Sequence, residues 1–124
     1  MADVHVPAGW PEAVAPPGTE DWEATAVEWL LELVPDLRGN VVRRYPVVLV
    51  VIARHAVAGT VDGLRAGYRT ARTELGEAVR PHAVDAALTA YRDEGRRLAA
   101  VAKGAEMIER ALRGEPVTGT TRPR

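Results

Sequence analysis

The chain has 124 residues, enough for one domain that buries its own core. It contains no cysteine and no serine, which excludes disulfides, thiolate metal sites and cysteine or serine nucleophiles. Its formal net charge of −1 is unevenly placed: residues 1–36 carry eight acids and no Lys or Arg, whereas residues 37–124 carry 16 bases and nine acids. This asymmetry indicates either a nucleic-acid surface or, as we favour, an acidic first helix that neutralises a basic hairpin inside one fold.

The N-terminal residues lack the basic and apolar regions of a signal peptide. The longest wholly apolar run, residues 47–53, is much shorter than the roughly 20 residues that a membrane span needs. We therefore expect a cytoplasmic protein without a membrane partner.

Residues 1–18 contain four prolines and two glycines, which predicts an extended Pro-rich arm. Trp10 and Val14 are its expected anchors on the core. A first helix is predicted after Gly18, with Thr19 as its N-cap and Pro35 at its end. Its apolar residues form one helical stripe: Trp22, Ala26, Trp29, Leu30 and Leu33.

Residues 35–45 are predicted to form a loop, with a turn at Gly39 and Asn40. The next helix should begin at Pro46, a favoured first-turn residue, and extend to position 79. Residues 47–52 alone resemble a buried strand, but no hairpin turn or second strand-like run accompanies them, so we predict helix. A kink near Gly59 or a break near Gly76 is expected in so long a helix.

A third helix is predicted from Pro81 to Gly114, followed by a disordered tail at 115–124. Its seam is coiled-coil-like, with Ile108 one place off register: Val84, Leu88, Tyr91, Gly95, Leu98, Ala102, Ala105 and Leu112. The predicted fold is all-α: a three-helix arrangement with a long antiparallel helical hairpin, in a single helical domain over residues 19–114.

Three glycines and an alanine recur at intervals of four on the second predicted helix: Gly59, Gly63, Gly67 and Ala71. Residues four apart share a helix face, and each glycine costs about 1 kcal/mol relative to alanine, so the face needs a compensating contact. Close packing within the chain, a homodimer seam and a ligand groove remain open as explanations.

Arg65, Arg69 and Arg72 share another face of the same helix. Arginine binds phosphate and carboxylate in a bidentate manner, so this face is a candidate anion or nucleic-acid surface. Interleaved acids and the lack of a helix-turn-helix pattern favour a solvated face instead.

Motifs that carry chemistry are missing from this sequence. The three histidines, His5, His55 and His82, form no known ligand pattern, and no glycine-rich phosphate loop is present. We therefore predict no catalytic, cofactor-binding or metal-binding residues, no cofactor and no enzyme activity.

Several strings are familiar: GWP at 9–11, PPG at 16–18, DWE at 21–23, AVEWLL at 26–31, RRYP at 43–46 and GYRTARTEL at 67–75. With the composition, they resemble a family of small uncharacterised all-α proteins of actinobacteria, over roughly residues 9–114. The resemblance implies no activity, ligand or site residue.

The function that we predict is a non-enzymatic helical interaction protein that self-associates, its partner being a second copy in a homodimer or another protein. A nucleic-acid-associated regulator that uses the arginine face is the first alternative, although the acids count against it. A small-ligand-binding protein with a pocket bounded by aromatic rings is the second: Trp22, Trp29, Tyr68 and Tyr91.

Overall fold

The computed structural model describes residues 6–34 and 40–117. It has four helices: α1 (Trp22–Leu31), α2 (Asn40–Arg44), α3 (Pro46–Leu75) and α4 (Pro81–Leu112). Within the described residues there is no strand, and α3 and α4 lie antiparallel along one another. The all-α class and the long helical hairpin are thus confirmed. The predicted turn residue Gly39 and the tail beyond Val117 lie outside the described residues.

The β-branched run at 47–52 is helical, as predicted. Pro46 begins α3 without needing a hydrogen bond, and the amides of Val48 and Leu49 donate to the Tyr45 carbonyl at 2.9 and 3.2 Å. The helix runs through Gly59 and ends at Leu75 rather than at 79. The expected break near Gly76 is therefore present: residues 76–79 form a turn, in which the amides of Ala78 and Val79 both donate to the Leu75 carbonyl at 3.0 Å, before Pro81 begins the next helix.

Gly114 closes α4 in the predicted way. Its φ of +78° lies in the left-handed region, where a glycine carries no Cβ penalty. Its amide donates to the Ala111 carbonyl at 3.0 Å, and the Glu115 amide donates to the Arg110 carbonyl at 2.8 Å. Pro116 then prevents the helix from continuing.

Two expectations near α1 were wrong. The helix begins at Trp22, not directly after Thr19, because the Thr19 hydroxyl donates to the Pro16 carbonyl at 2.6 Å and closes a turn instead of capping. The predicted loop at 35–45 contains the short helix α2, which turns Val42 inward to 7% exposure. The composition of this segment predicts a loop, but the structure has a short helix there that buries one valine.

The structure divides into two regions, which we call the head and the stalk. The head comprises residues 6–34, 40–57 and 98–117, and the stalk is the remainder of the hairpin, residues 58–97. The main core lies in the head, where the N-terminal arm, α1 and α2 pack around one end of the hairpin. Its buried members are Val6, Trp10, Val14, Ala26, Leu30, Val42, Leu49, Val50, Ala53, Met107 and Ile108.

The N-terminal arm is anchored by Trp10 and Val14, as predicted, with 1% and 2% of their surfaces exposed. The Trp10 indole Nε1 donates to the carbonyls of Val14 and Ala15 at 3.0 and 3.2 Å, so the ring is buried without an unpaired donor. The arm thereby supplies a side of the core that the helices do not close.

The predicted α4 seam is buried at Val84, Leu88, Leu98 and Ala105. Ile108, which the heptad pattern placed off register, is fully buried. The reason is that the head encloses α4 on more than one side: a Cβ on Gly104 would lie 2.8 Å from Pro11 and 3.3 Å from Trp29. The pattern of a seam between two helices therefore does not predict which residues are buried at that end of α4.

Candidate interaction groove

An open groove of about 1320 Å³ runs between α3 and α4 along one side of the hairpin. On α3 its lining extends from Arg54 in the head to Arg69 in the stalk. Arg69 follows Arg54 by fifteen positions, which corresponds to roughly 22 Å of helix at about 1.5 Å per residue. The groove is therefore long enough to take a helix of several turns.

The floor of the groove is apolar, and most of its side chains are small: Ala58, Val61, Leu64, Gly95, Ala99 and Ala102. These positions recur at intervals of three and four, so each helix contributes one face. A Cβ placed on Gly95 would meet no atom within 4 Å, which shows that this part of the floor is open. Small side chains on both helices allow another backbone to approach closely.

Charged side chains form the rim of the groove. Eight are bases and four are acids. The bases are Arg54, Arg65, Arg69, Arg92, Arg96, Lys103, Arg110 and Arg113; the acids are Asp62, Glu106, Glu109 and Glu115. The rim is therefore positive, and it surrounds an apolar floor.

Glu109 holds two of the rim arginines at the head end. It accepts hydrogen bonds from Arg54 at 2.8 Å and from Arg113 at 3.0 Å, with 15% of its side chain exposed. Burial raises the pKa of Glu109, but the two arginine hydrogen bonds outweigh it and lower that pKa below its usual value. The carboxylate thus joins α3 to α4 as an anion.

Tyr68 and Arg92 close the stalk end of the groove. The Arg92 guanidinium donates to the Tyr68 hydroxyl at 2.8 Å and lies 5.7 Å from the centre of its ring. The hydrogen bond raises the pKa of Arg92. Beneath this pair, the Tyr91 ring occupies the space where Gly67 has no side chain.

Four rim bases take part in no ion pair between described residues: Arg65, Arg69, Arg92 and Lys103. All the ion pairs in that part of the chain join residues of α3, α4 or the turn that ends α4. None joins an acid of α1 to a base of the hairpin. The expected neutralisation of the hairpin by the first helix is thus not made by direct pairs in the described residues.

The predicted arginine face is divided by the structure. Arg65 and Arg69 lie on the groove rim. Arg72 lies beyond the groove lining, with its guanidinium 3.8 Å from Asp85 and both side chains largely exposed. Helical spacing keeps the three residues on one side of α3, so Arg72 differs from the other two in its position along the helix, past the stalk end of the groove.

The predicted glycine face is divided as well. A Cβ on Gly59 or Gly63 would meet nothing within 4 Å, whereas one on Gly67 would lie 2.6 Å from the Tyr91 hydroxyl. Ala71 is 2% exposed in a small cluster at the tip of the stalk. Gly67 and Ala71 are therefore covered within the chain, whereas Gly59 and Gly63 are uncovered.

A second uncovered apolar surface lies near the start of α3. Val41, Tyr45 and Val48 are 56%, 52% and 37% exposed. By length and composition alone α3 could cross a membrane, and only 22% of its most apolar 18-residue stretch is buried. Much of the apolar surface of α3 is therefore left uncovered by the rest of the described chain.

Sequence reasoning missed the groove and the role of Glu109. The signal for the groove was present in the small residues that recur at helical spacing on both helices, such as Ala58, Ala99 and Ala102. We assigned Ala102 to the seam, but it lies half-buried on the groove floor. No spacing rule within one helix could have paired Glu109 with Arg54, 55 positions away.

The described residues offer no group of three or more His, Asp or Glu side chains that could hold a metal ion. His55 on α3 and His82 at the start of α4 are both exposed. Comparison with models of protein families, with curated proteins and with solved structures gives no match for this chain.

Proposed function

We propose that this chain is a non-enzymatic helical interaction protein that self-associates as a homodimer. The observation that carries the proposal is the groove: an apolar floor between two long helices that no part of the described chain fills. Contiguous exposed apolar surface with a polar rim is typical of protein interaction sites. The uncovered start of α3 adds to that surface.

The chemistry of the groove supports binding rather than catalysis. Among the described residues, four side chains have shifted pKa values: Arg92 and Glu109, which line the groove, and Glu94 and Arg97, which do not. Each is hydrogen-bonded to a partner within the hairpin or the turn that ends it. Such shifts reflect structural pairs, whereas catalytic groups combine a shifted pKa with a cleft and a reacting partner.

A cytoplasmic location, without a membrane partner, is part of the proposal. Although α3 is apolar, it supplies five residues that are buried in the structure: Leu49, Val50, Ala53, Val57 and Ala71. These side chains pack inside the chain and not against lipid, and the proposed second copy would cover apolar residues of α3 that remain exposed.

Sedimentation equilibrium over a wide range of protein concentration tests the self-association. We expect the mass to rise from one chain to two and then to stay constant, because a closed interface saturates whereas non-specific apolar aggregation does not. A mass of one chain throughout the range would contradict the proposal, and so would a mass that rises without limit.

A nucleic-acid-associated regulator is the second candidate, favoured by the excess of bases on the rim. Its binding should weaken steeply with salt, since each phosphate contact releases counterions. The variant Arg65→Ala with Arg69→Ala should then lose affinity for a duplex DNA or RNA probe, while Arg72→Ala, outside the groove lining, serves as the matched control. No retardation of either probe at low salt would remove this candidate.

The small-ligand alternative no longer has the pocket that we expected. Tyr68 and Tyr91 line the groove, whereas Trp22 and Trp29 pack against the core of the head. The four rings therefore do not bound one cavity. The groove is open along its length, and ligand pockets that bury most of a small molecule are usually more enclosed.

A further inference from the structure

The groove is open along its length, so a dimer needs a surface of the second copy that covers it. We propose that this surface is the same groove of the second copy: the two hairpins lie face to face and antiparallel, and their helices form a four-helix bundle about a two-fold axis. The inference rests on the proposed self-association and names the surface that meets itself.

One side of the hairpin carries the whole groove. Its lining belongs to α3, α4 and the turn after α4, and no described residue of the arm, α1 or α2 contributes to it. These segments complete the core of the head from other directions and leave the groove side of both helices uncovered by described residues. A second hairpin can therefore lie along this side from the head to the stalk.

The charge of the rim is distributed unevenly along the groove. At the stalk end the rim has four bases and no acid: Arg65, Arg69, Arg92 and Arg96. From the middle of the groove to the head it has the other four bases and all four acids, so this part is neutral. Parallel hairpins would place the two basic ends together, whereas antiparallel hairpins place each basic end against the neutral part of the other copy. The charge distribution therefore favours the antiparallel orientation.

Two hydrogen bonds between α3 and α4 define the middle of the groove. Arg92 is bonded to Tyr68 at the stalk end, and Arg54 is bonded to Glu109 at the head end. The middle floor residue of each helix lies close to the midpoint between these bonds: Val61 on α3 and Ala99 on α4. A two-fold axis at this level also lies near the centre of α3, which extends from 46 to 75, so the two copies of that helix overlap almost end to end.

The floor of the groove is suited to meet a copy of itself. About this axis each helix faces the same helix of the second copy, and Ala58 is level with the Leu64 of the other chain. Small side chains thus meet larger ones, and the small residues allow the helices to approach closely. The floor is uncharged, so the contact buries no ion at its centre.

The same alignment brings opposite charges together at the edges. Arg65 lies roughly 7 Å along the bundle from Asp62 of the second copy, and Glu106 lies roughly 3 Å along it from the second Arg96. Side chains lean toward the N terminus of their helix, so in antiparallel helices both pairs lean toward each other. Neither Asp62 nor Arg65 belongs to an ion pair between described residues, and both are exposed.

Charge reversal at Asp62 and Arg65 tests the facing pair. One variant carries Asp62→Arg and the other carries Arg65→Asp; both positions are exposed on α3, so the helical circular dichroism should not change. The matched controls, Glu74→Arg and Arg80→Asp, make the same changes of charge at exposed positions outside the groove lining. Sedimentation measures the dimer of each chain and of an equal mixture of the two variants.

We expect each variant alone to dimerise at least about tenfold more weakly than its control, since like charges then face each other at both symmetry-related contacts. In the mixed dimer two arginines of one copy face two aspartates of the other, so the mixture should dimerise with nearly the original strength. Variants that match their controls, or a mixture that does not recover, overturn the inference.

A steric pair of variants gives an independent readout. Ala99 and Ala100 are neighbours on α4 and both are exposed, but only Ala99 lines the groove. Ala99→Trp should weaken the dimer, because two indole rings would meet at the two-fold axis, and Ala100→Trp should not. Equal effects, or the reverse order, would place the interface on another side of α4.

The orientation of the two hairpins can be measured separately, because the chain has no cysteine and a single introduced one can carry a spin label. Glu77→Cys places the label in the exposed turn at the tip of the stalk. Antiparallel hairpins put the two tips at opposite ends of the bundle, about 45 Å apart at 1.5 Å per residue. A separation below about 30 Å, as adjacent tips of helices roughly 10 Å wide would give, overturns the inference.

The outcomes separate the inference from the function on which it rests. Any of these contrary results, obtained with an unmodified chain that dimerises, overturns the face-to-face contact and leaves self-association standing. A monomeric unmodified chain overturns both. An Arg65→Asp chain that dimerises like its control but no longer retards a nucleic-acid probe would assign the groove to a nucleic acid and likewise overturn the inference.

Discussion

The head and the stalk are built from the same two helices, yet only the head has a complete core. In the head the N-terminal arm, α1 and α2 add further layers, so that side chains on several faces of α4 are enclosed. In the stalk the helices have only each other, and the buried cluster at its tip consists of Ala71, Val84 and Leu88. Two helices can bury the seam between them and little else, so the apolar residues beside the seam remain for a partner.

Leucine truncation should show the difference most strongly. Leu49 in the head is fully buried, whereas Leu88 in the stalk is 7% exposed and has fewer layers around it. We expect Leu49→Ala to lower the free energy of unfolding by about 4 kcal/mol and Leu88→Ala by about 2 kcal/mol, because a less enclosed site relaxes around the lost volume. Urea denaturation at one fixed protein concentration measures both, and equal losses would remove the distinction between the regions.

The effect of a Gly→Ala substitution on the free energy of unfolding should have opposite signs in the head and in the stalk. Gly104→Ala in the head would press its Cβ to 2.8 Å from Pro11, and we expect a loss of about 1–3 kcal/mol. Gly59→Ala and Gly63→Ala in α3 meet open space and should each add up to about 1 kcal/mol through helix propensity. Thermal unfolding followed by circular dichroism ranks the three variants, and a stabilising Gly104→Ala would refute the close packing against the arm.

Gly67 differs from the other two stalk glycines, Gly59 and Gly63, because the Tyr91 ring packs against it. A Cβ there would displace the Tyr91 ring, so the propensity gain of about 1 kcal/mol is opposed by lost packing. We expect Gly67→Ala to destabilise the unmodified chain slightly and to stabilise a Tyr91→Ala background. The double-mutant cycle gives the coupling directly, and additive effects would mean that the two residues do not touch.

The smallest expected effect is the pH dependence of the Glu109 pair, which joins the hairpin where the stalk enters the head. The folded pKa of Glu109 lies below its usual value, so its contribution is present above the unfolded pKa and is lost as the pH falls through the folded pKa. Because Arg54 and Arg113 are 41% and 45% exposed, the contribution should be at most about 1 kcal/mol.

Glu109→Gln should remove that part of the acid-induced loss of stability, whereas Glu77→Gln, an exposed residue in the turn after α3, should leave it unchanged. Unfolding curves measured at a series of acidic pH values compare the two variants. Identical pH profiles for them would contradict the role of Glu109.

Much of the fold could be predicted because its signals are local. Pro46 and Pro81 mark the starts of α3 and α4, Gly114 marks an end, and the apolar spacing of α1 identifies its buried face. The start of α1 was misplaced because the Thr19 hydroxyl closes a turn on Pro16, a competing use of the same side chain.

The site was harder to predict because it depends on which faces meet. The arginine and glycine faces were read along α3 alone, and such a reading does not show where the groove ends, short of Arg72, or that Tyr91 of α4 covers Gly67. The seam of α4 failed at Ile108 for a similar reason, since the arm and α1 enclose that end of the helix from other directions. Contacts between distant segments decide whether these residues are buried, and the periodicity of one segment carries no information about such contacts.

The central claim is that a second copy completes the stalk. Amide hydrogen exchange at several protein concentrations tests it most directly, because it reports the opening of each segment separately. We predict that the stalk, residues 58–97, exchanges faster than the head core when the protein is dilute, and that its protection rises as the concentration increases. Stalk protection that is already equal to that of the head in dilute solution, or that stays constant with concentration, would contradict the account.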